Sequence, residues 1–316
     1  MVVNVVLILL GFVLLIKGAD FLVSGASGVA KKFHIPEIII GLTIVSMGTS
    51  MPELFVSITS ACNGYADLSM GNVIGSNVCN LLLILGLSAT IRGIKFKKET
   101  KLIEIPMCLV ITILFTVLCN IGEGISKLDA IILVSLFIAF IGYTIYMSKK
   151  GEEFDGIEQT EDNTPKRKTI INIMYIIIGI IALKYGGDFV VENAKYIAQY
   201  FNISEKIIGL TIVAIGTSLP ELVTSVTAAI KGDSDIAIGN IIGSNIFNML
   251  FIIGLTGLIK PINYNLSYNM DMGILIVSTI VLALFPYTDK KDEMTTSNGI
   301  GYLMLYALYM IILFVK

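Results

Sequence analysis

Long apolar runs separated by short polar breaks fill almost the whole chain. Ten of them are long enough to be helices crossing a bilayer, which takes about 20 residues. They lie at 3–29, 36–62, 67–91, 103–121, 127–147, 170–196, 204–230, 235–259, 270–287 and 297–315. The pattern predicts an all-α membrane protein of ten transmembrane helices. One polar stretch interrupts it. Residues 148–169, SKKGEEFDGIEQTEDNTPKRKT, are charged, lack apolar periodicity and read as a flexible linker. The opening run MVVNVVLILLGFVLL has no basic leader and no small-residue cleavage site, so it reads as a permanent first span.

Composition agrees with the pattern. Mean hydropathy is +0.85 and only 15% of residues are charged, against about a quarter in soluble domains. A net charge of -2 and the absence of basic tracts give no sign of nucleic-acid binding. The four cysteines (Cys62, Cys79, Cys108, Cys119) sit in apolar stretches without paired spacing and read as buried apolar residues. The one histidine, His34, lies beside Lys31 and Lys32 and reads as a loop residue. Lysine and arginine set the orientation. With the N-terminus outside, the inner loops carry Lys31, Lys32, Arg92, Lys95, Lys97, Lys98, Lys101, Lys149, Lys150, Lys166, Arg167, Lys168, Lys231, Lys290 and Lys291. The outer ones carry Lys127, Lys195, Lys206, Lys260 and Lys316. Both termini are therefore expected outside and the linker in the cytoplasm.

The chain also repeats itself. GLTIVSMGTSMPEL (41–54) recurs as GLTIVAIGTSLPEL (209–222), and GNVIGSNVCN (71–80) as GNIIGSNIFN (239–248), both at an offset of 168. Between 41–91 and 209–259, 28 of 51 positions are identical without a gap, which identifies a duplication. The halves are 1–147 and 170–316, five helices each, joined by the linker 148–169. An odd number of spans makes the second half enter the membrane with opposite polarity. Two inverted five-helix repeats are a transporter arrangement, with substrate near the midplane and broken helices around it.

The repeats carry the polar residues that a membrane span does not accept without cause. Ser46, Thr49, Ser50, Glu53 and Ser57 share one helical face, as do Asn72, Ser76 and Asn80. Thr217, Ser218, Glu221 and Ser225, and Asn240, Ser244 and Asn248, repeat the two stripes. The stripes offer carboxylate, hydroxyl and amide oxygen without His or Cys, a donor set for hard cations such as Ca²⁺, Mg²⁺ and Na⁺. Pro52 and Pro220 free the carbonyls of Gly48 and Gly216 and distort the backbone, adding bare oxygens. An acid at the bilayer centre costs roughly 2.5–3.5 kcal/mol even on insertion scales, and no Lys or Arg lies near Glu53 or Glu221 in sequence. Either one of the two is protonated or cations neutralise them: one Ca²⁺ would cancel both charges, as would two Na⁺, and three Na⁺ would leave one positive charge. Other polar residues have plainer readings. Ser57, Thr59, Ser225, Thr227 and the glycines read as packing devices. Asn77 and Asn245, off the stripes, read as helix-stabilising. Asp20 with Lys17 and Asp188 with Lys184 read as intrahelical ion pairs.

GTSxPE and GNxIGSNxxN, each present twice, resemble the α-repeats of the cation/Ca²⁺ antiporter superfamily, most closely its prokaryotic Na⁺/Ca²⁺ exchanger branch. The resemblance covers nearly the whole chain. It implies that Glu53 and Glu221, with the carbonyls of Thr49 and Thr217, ligate Ca²⁺. It implies Na⁺ at Ser50, Ser76, Ser218 and Ser244, with carbonyls at Ser46 and Ala214 completing two flanking sites. The last polar position of each motif matches Asn80 and Asn248. Some prokaryotic members and the K⁺-dependent relatives carry Asp where this chain has Asn248, which argues against K⁺ dependence here. The proton-coupled branch carries an acid in a GNxxE-type motif, where this chain reads GNVIG and GNIIG.

The expectation is a plasma-membrane Na⁺/Ca²⁺ antiporter, monomeric and without a cofactor, working by alternating access. The first and sixth spans, with GASG (25–28) and GG (186–187), would slide against the ion-binding core. The resemblance implies three Na⁺ for one Ca²⁺, which moves a net charge. H⁺/Ca²⁺ antiport through the same carboxylates is the nearest rival, and a passive cation channel is a rival of another class. No zinc motif, no His near a buried Ser and no P-loop supports an enzyme.

Overall fold

The computed structural model describes residues 2–33, 35–62, 66–122, 124–154, 169–200, 214–288 and 292–315. It is helical almost throughout. In chain order the helices are α1 (Val2–Phe33), α2 (Glu37–Thr49), α3 (Met51–Cys62), α4 (66–91), α5 (Thr100–Ile121), α6 (Lys127–Phe154), α7 (Thr169–Tyr200), α8 (Ala214–Thr217), α9 (Leu219–Lys231), α10 (Ser234–Ile259), α11 (Asn269–Thr288) and α12 (Thr296–Val315). Among the described residues, eight helices are long and apolar enough to cross a membrane, or nine if α2 and α3 form one span bent by 46°. The expected span 204–230 begins outside the described residues, as do His34 and linker residues 155–168. The linker's first residues are not loop. α6 continues through them to Phe154, because extending an existing helix by one residue is cheap once it is nucleated.

The two prolines do not distort continuous helices, as the sequence suggested. Each sits at the second position of a new one. α2 stops at Thr49, Ser50 takes φ -82°, ψ 11°, and α3 starts at Met51. In the second half Ser218 takes φ -85°, ψ 5° between α8 and α9. Proline is tolerated there because first-turn amides have no carbonyl within the helix to donate to. The chain thus meets the lost hydrogen bond by ending one helix and beginning another.

α4 and α10 form the buried centre, and π-helical turns interrupt both, at Cys79–Leu85 and Phe247–Ile252. Such turns cluster at functional sites. Glycine brings the elements together. A Cβ on Gly41 would lie 3.0 Å from the Gly239 Cα, and one on Gly243 would lie 2.6 Å from both the Leu42 carbonyl and the Ser46 hydroxyl. Backbone meets backbone where α2 crosses α10. α1 and α7 meet in the same way. Gly11, Gly18 and Gly25 fall seven residues apart on α1, and Gly179 and Gly186 likewise on α7. A Cβ on Gly18 would sit 3.0 Å from the Gly179 carbonyl, and one on Gly186 would sit 2.9 Å from that of Gly11. Lipid is as apolar as leucine, so close packing of small residues has to hold such helices. Gly25, Gly28 and Gly186 lie in this α1–α7 contact. Only Gly187 of the two motifs looks toward a broken helix, 4.0 Å from Pro220.

Two short antiparallel ladders, absent from the sequence reading, tie the halves together. β1 (Ile94–Lys95) pairs with β4 (Glu293–Met294), and β2 (Gly124–Ile125) pairs with β3 (Ile262–Asn263). Ion pairs add to them. Lys97 meets Asp235 at 2.8 Å and Lys101 meets Asp292 at 2.8 Å. Lys184 pairs with Asp188 at 3.5 Å as the spacing predicted. Asp20 does not take Lys17. Its carboxylate meets Lys231 of α9 at 2.5 Å, and the same ammonium donates to Ser24 at 2.9 Å. A close partner on another helix displaced the local one.

Gly243→Ala is expected to cost about 1–3 kcal/mol, because the methyl has to displace backbone. Gly142→Ala, with nothing within 4 Å of the added Cβ, is the control. Thermal melting of the detergent-solubilised protein should fall for the first and hold for the second.

Candidate cation site

The two helix restarts place Glu53 and Glu221 in the first turns of α3 and α9. Both are 1% exposed. A first turn presents unpaired amides and the positive end of the helix dipole, which favour an anion. The ends of α2 and α8 present carbonyls at the same breaks. Each break therefore sets a carboxylate beside the carbonyls of a helix end.

Three of the polar contacts at the breaks cross between the halves, and each occurs in two equivalent copies. The Ser50 hydroxyl donates to Glu221 Oε1 at 2.6 Å, and the Ser218 hydroxyl to Glu53 Oε1 at 3.2 Å. Ser50 also reaches Ser244 at 3.0 Å, and Ser218 reaches Ser76 at 3.2 Å. Ser76 adds a long contact of 3.4 Å to Glu53 Oε1. Thr49 donates to Asn240 Oδ1 at 3.1 Å and Thr217 to Asn72 Oδ1 at 3.4 Å. Both threonine hydroxyls thereby reach across to the other half. Ser46 turns its hydroxyl to the Leu42 carbonyl at 2.8 Å. Its own carbonyl accepts from the Ser50 amide at 3.0 Å and the Thr49 hydroxyl at 3.2 Å, with Ser244 at 3.5 Å. Ala214, its counterpart, opens α8.

The structure thus joins Thr49, Ser50, Glu53, Ser76, Thr217, Ser218, Glu221 and Ser244 by hydrogen bonds. Asn80 and Asn248 lie one turn beyond Ser76 and Ser244, in the π-helical turns. Ser57 and Ser225 face away and accept from Asn72 (3.3 Å) and Asn240 (2.8 Å), which suits their packing role. Those two asparagines also donate to the backbone carbonyls of Glu53 (3.5 Å) and Glu221 (3.4 Å). They brace the helix restarts, a role their place on the stripes did not reveal. Asn77 and Asn245 are not simple helix stabilisers. Asn80 Nδ2 donates to Asn245 Oδ1 at 3.0 Å and Asn248 Nδ2 to Asn77 Oδ1 at 2.9 Å. Asn77 and Asn245 each donate to the other's backbone carbonyl at 3.4 Å. Their identity in both GSN motifs was the available signal.

Four buried oxygens of this network find no partner: Glu53 Oε2, Glu221 Oε2, Asn80 Oδ1 and Asn248 Oδ1. They form two pairs at the repeat offset. A buried acceptor without a donor costs about 1–3 kcal/mol, more if charged, and no ion pair among the described residues reaches either glutamate. Among the described residues no group of three His, Cys, Asp or Glu comes together as a metal cluster. Carboxylate and amide oxygens left over in this way are the donor type that suits a hard cation.

Comparison with known proteins agrees. The family model described as "Sodium/calcium exchanger protein" matches residues 3–146 and 171–315. The chain is 35% identical over 303 residues to the inner membrane protein YrbG of Escherichia coli, covering 94% of this chain and 92% of that one. It is 31% identical over 352 residues to the sodium/calcium exchanger MaX1 of Methanosarcina acetivorans, covering 99% of each. Structures of the sodium-calcium exchanger NCX_Mj superpose on it. One, soaked with Na⁺ and Ca²⁺, gives a TM-score of 0.86 at 32% identity over 98% of both chains.

Asn240→Leu removes the amide that donates to the Glu221 carbonyl and the Ser225 hydroxyl and accepts from Thr49. It is expected to lower stability by about 1–3 kcal/mol. A melting curve indistinguishable from wild type would show that the brace is idle.

Proposed function

The chain belongs to the sodium/calcium exchanger protein family, and from that premise we propose that it exchanges Na⁺ for Ca²⁺ across the plasma membrane by alternating access. It is a multi-pass membrane protein of a family of cation/Ca²⁺ antiporters rather than enzymes. The four unpartnered oxygens of Glu53, Glu221, Asn80 and Asn248 carry the reading. In it, ten spans form two inverted halves, 1–147 and 170–316, about the cytoplasmic linker 148–169, with both termini outside. Each half brings one carboxylate and one amide, so a single chain holds the whole site.

Ca²⁺ is the divalent cation that answers two carboxylates at once. Glu53 and Glu221 bind it with the carbonyls of Thr49 and Thr217 at the helix ends. Na⁺ takes the flanking oxygens of Ser50, Ser76, Ser218 and Ser244, with the carbonyls of Ser46 and Ala214, while Asn80 and Asn248 turn their amide oxygens to the centre of the site. A cation arriving at Glu221 competes with the Ser50 hydroxyl, and one arriving at Glu53 competes with Ser218. Ion entry therefore loosens the contacts that join the halves, which gives occupancy a route to conformation. Three Na⁺ for one Ca²⁺ moves one net charge per cycle, worth about 2.3 kcal/mol per 100 mV.

Proteoliposomes loaded with Na⁺ should take up Ca²⁺ when the pH is clamped, faster with an inside-negative-to-positive change of potential that favours Na⁺ exit with its extra charge. Glu53→Gln should abolish uptake while leaving a monodisperse protein. Uptake that follows a pH gradient and ignores Na⁺ would replace Na⁺ by H⁺. Flux that needs no counter-ion gradient would replace the exchanger by a channel.

A further inference from the structure

Amide side chains present an oxygen on one side and an NH₂ on the other, and only the oxygen can face a cation. Something must decide which end of Asn80 and Asn248 points inward. Building on the cation-site reading above, we propose that Asn77 and Asn245 are positioning residues that fix the Asn80 and Asn248 amides with oxygen toward the ion.

The hydrogen bonds force the assignment step by step. The backbone carbonyl of Asn77 can only accept, so the atom of Asn245 that meets it at 3.4 Å is Nδ2. The other end of the Asn245 amide is then Oδ1. Oδ1 in turn can only accept, so the Asn80 atom that meets it at 3.0 Å is Nδ2. What remains of Asn80 is Oδ1, buried and without a protein partner. The same chain runs through the second half. The Asn245 carbonyl fixes Asn77 at 3.4 Å, Asn77 Oδ1 fixes Asn248 Nδ2 at 2.9 Å, and Asn248 Oδ1 is left over. All four side chains are at most 1% exposed, so bulk water does not reach them. Flipping Asn80 would set two oxygens against each other at Asn245 and turn an NH₂ toward the ion. Two backbone carbonyls therefore dictate the donor set of the site. Because each asparagine pair spans both halves, each half orients the other's ligand.

The test uses Ca²⁺ uptake into Na⁺-loaded proteoliposomes. Asn245→Leu keeps the volume and removes the lock. It should raise the KM for Ca²⁺ by about 10–100-fold, the usual range for a residue that orients a metal ligand, with turnover at saturating Ca²⁺ retained. An Asn80→Asp background needs no lock, since a carboxylate shows oxygen whichever way it turns. There the same Asn245→Leu change should cost less than about threefold, the mark of coupling rather than additivity. Equal KM losses in both backgrounds would overturn the proposal, because a purely structural role does not depend on residue 80. Should Asn245→Leu not fold, Asn77→Leu in the presence and absence of Asn248→Asp reads the same coupling in the other half. Failure of both to give monodisperse protein in either background would assign the pair to fold integrity and also overturn it. Wild-type protein that takes up no Ca²⁺ against Na⁺ would instead fail the exchange reading itself.

Discussion

Two carboxylates buried in a membrane-spanning core, with no basic group paired to either, impose the condition that the rest of the molecule meets. Removing a charge from water is expensive unless something of opposite sign or strong polarity faces it. Lysine or arginine would settle the matter and would also keep cations out. The chain uses helix termini instead. Restarting α3 and α9 at Met51 and Leu219 puts Glu53 and Glu221 among free amides, and the Ser218 and Ser50 hydroxyls supply one hydrogen bond each from across the interface. These partners satisfy one oxygen of each carboxylate and leave the other. The result tolerates charge without cancelling it, as the proposed exchange of cations requires.

The surrounding elements follow from that condition. Bare carbonyls at membrane depth survive only where they face an ion or a cavity, which confines the breaks to the centre of the bundle. Close approach of α2 to α10 at Gly41, Gly239 and Gly243 puts Ser244 within reach of Ser46 and Ser50. The π-helical turns place Asn80 and Asn248 at the same depth on α4 and α10. Asn72 and Asn240 then tie the backbone behind each carboxylate to its own half's neighbouring helix.

Much of this was legible in the chain, and what was not has common causes. Hydropathy gave the helices, and the offset of 168 paired Glu53 with Glu221, Ser50 with Ser218 and Asn80 with Asn248. The offset says which residues are equivalent but not which touch. Hence Ser50 meeting Glu221 rather than Glu53, and Asn77 holding Asn248, needed three dimensions. Periodicity also assumes an unbroken 3.6-residue helix. It could not show that Pro52 lies in the first turn of a new helix, nor that π-helical turns shift the faces beyond Cys79 and Phe247. Lys17 was the nearest base to Asp20 in sequence, yet Lys231 lies nearer in space. The ladders β1–β4 and β2–β3 are two residues long, too short for any alternating pattern to announce them.

The doubled contacts have a further consequence. When one residue of the first half meets a second-half residue, and their equivalents meet in return, the interface is isologous, the kind that joins identical subunits in a two-fold dimer. In a homodimer every substitution is made twice. Carried on one chain, the two partners are free to diverge, and they have. Cys79 stands where the second half has Phe247, and Lys231, which holds Asp20, answers to Asn63 in the first half. Asp188, the equivalent of Asp20, keeps a base on its own helix. Covalent fusion thus lets the polar centre stay symmetric while its surroundings become unlike.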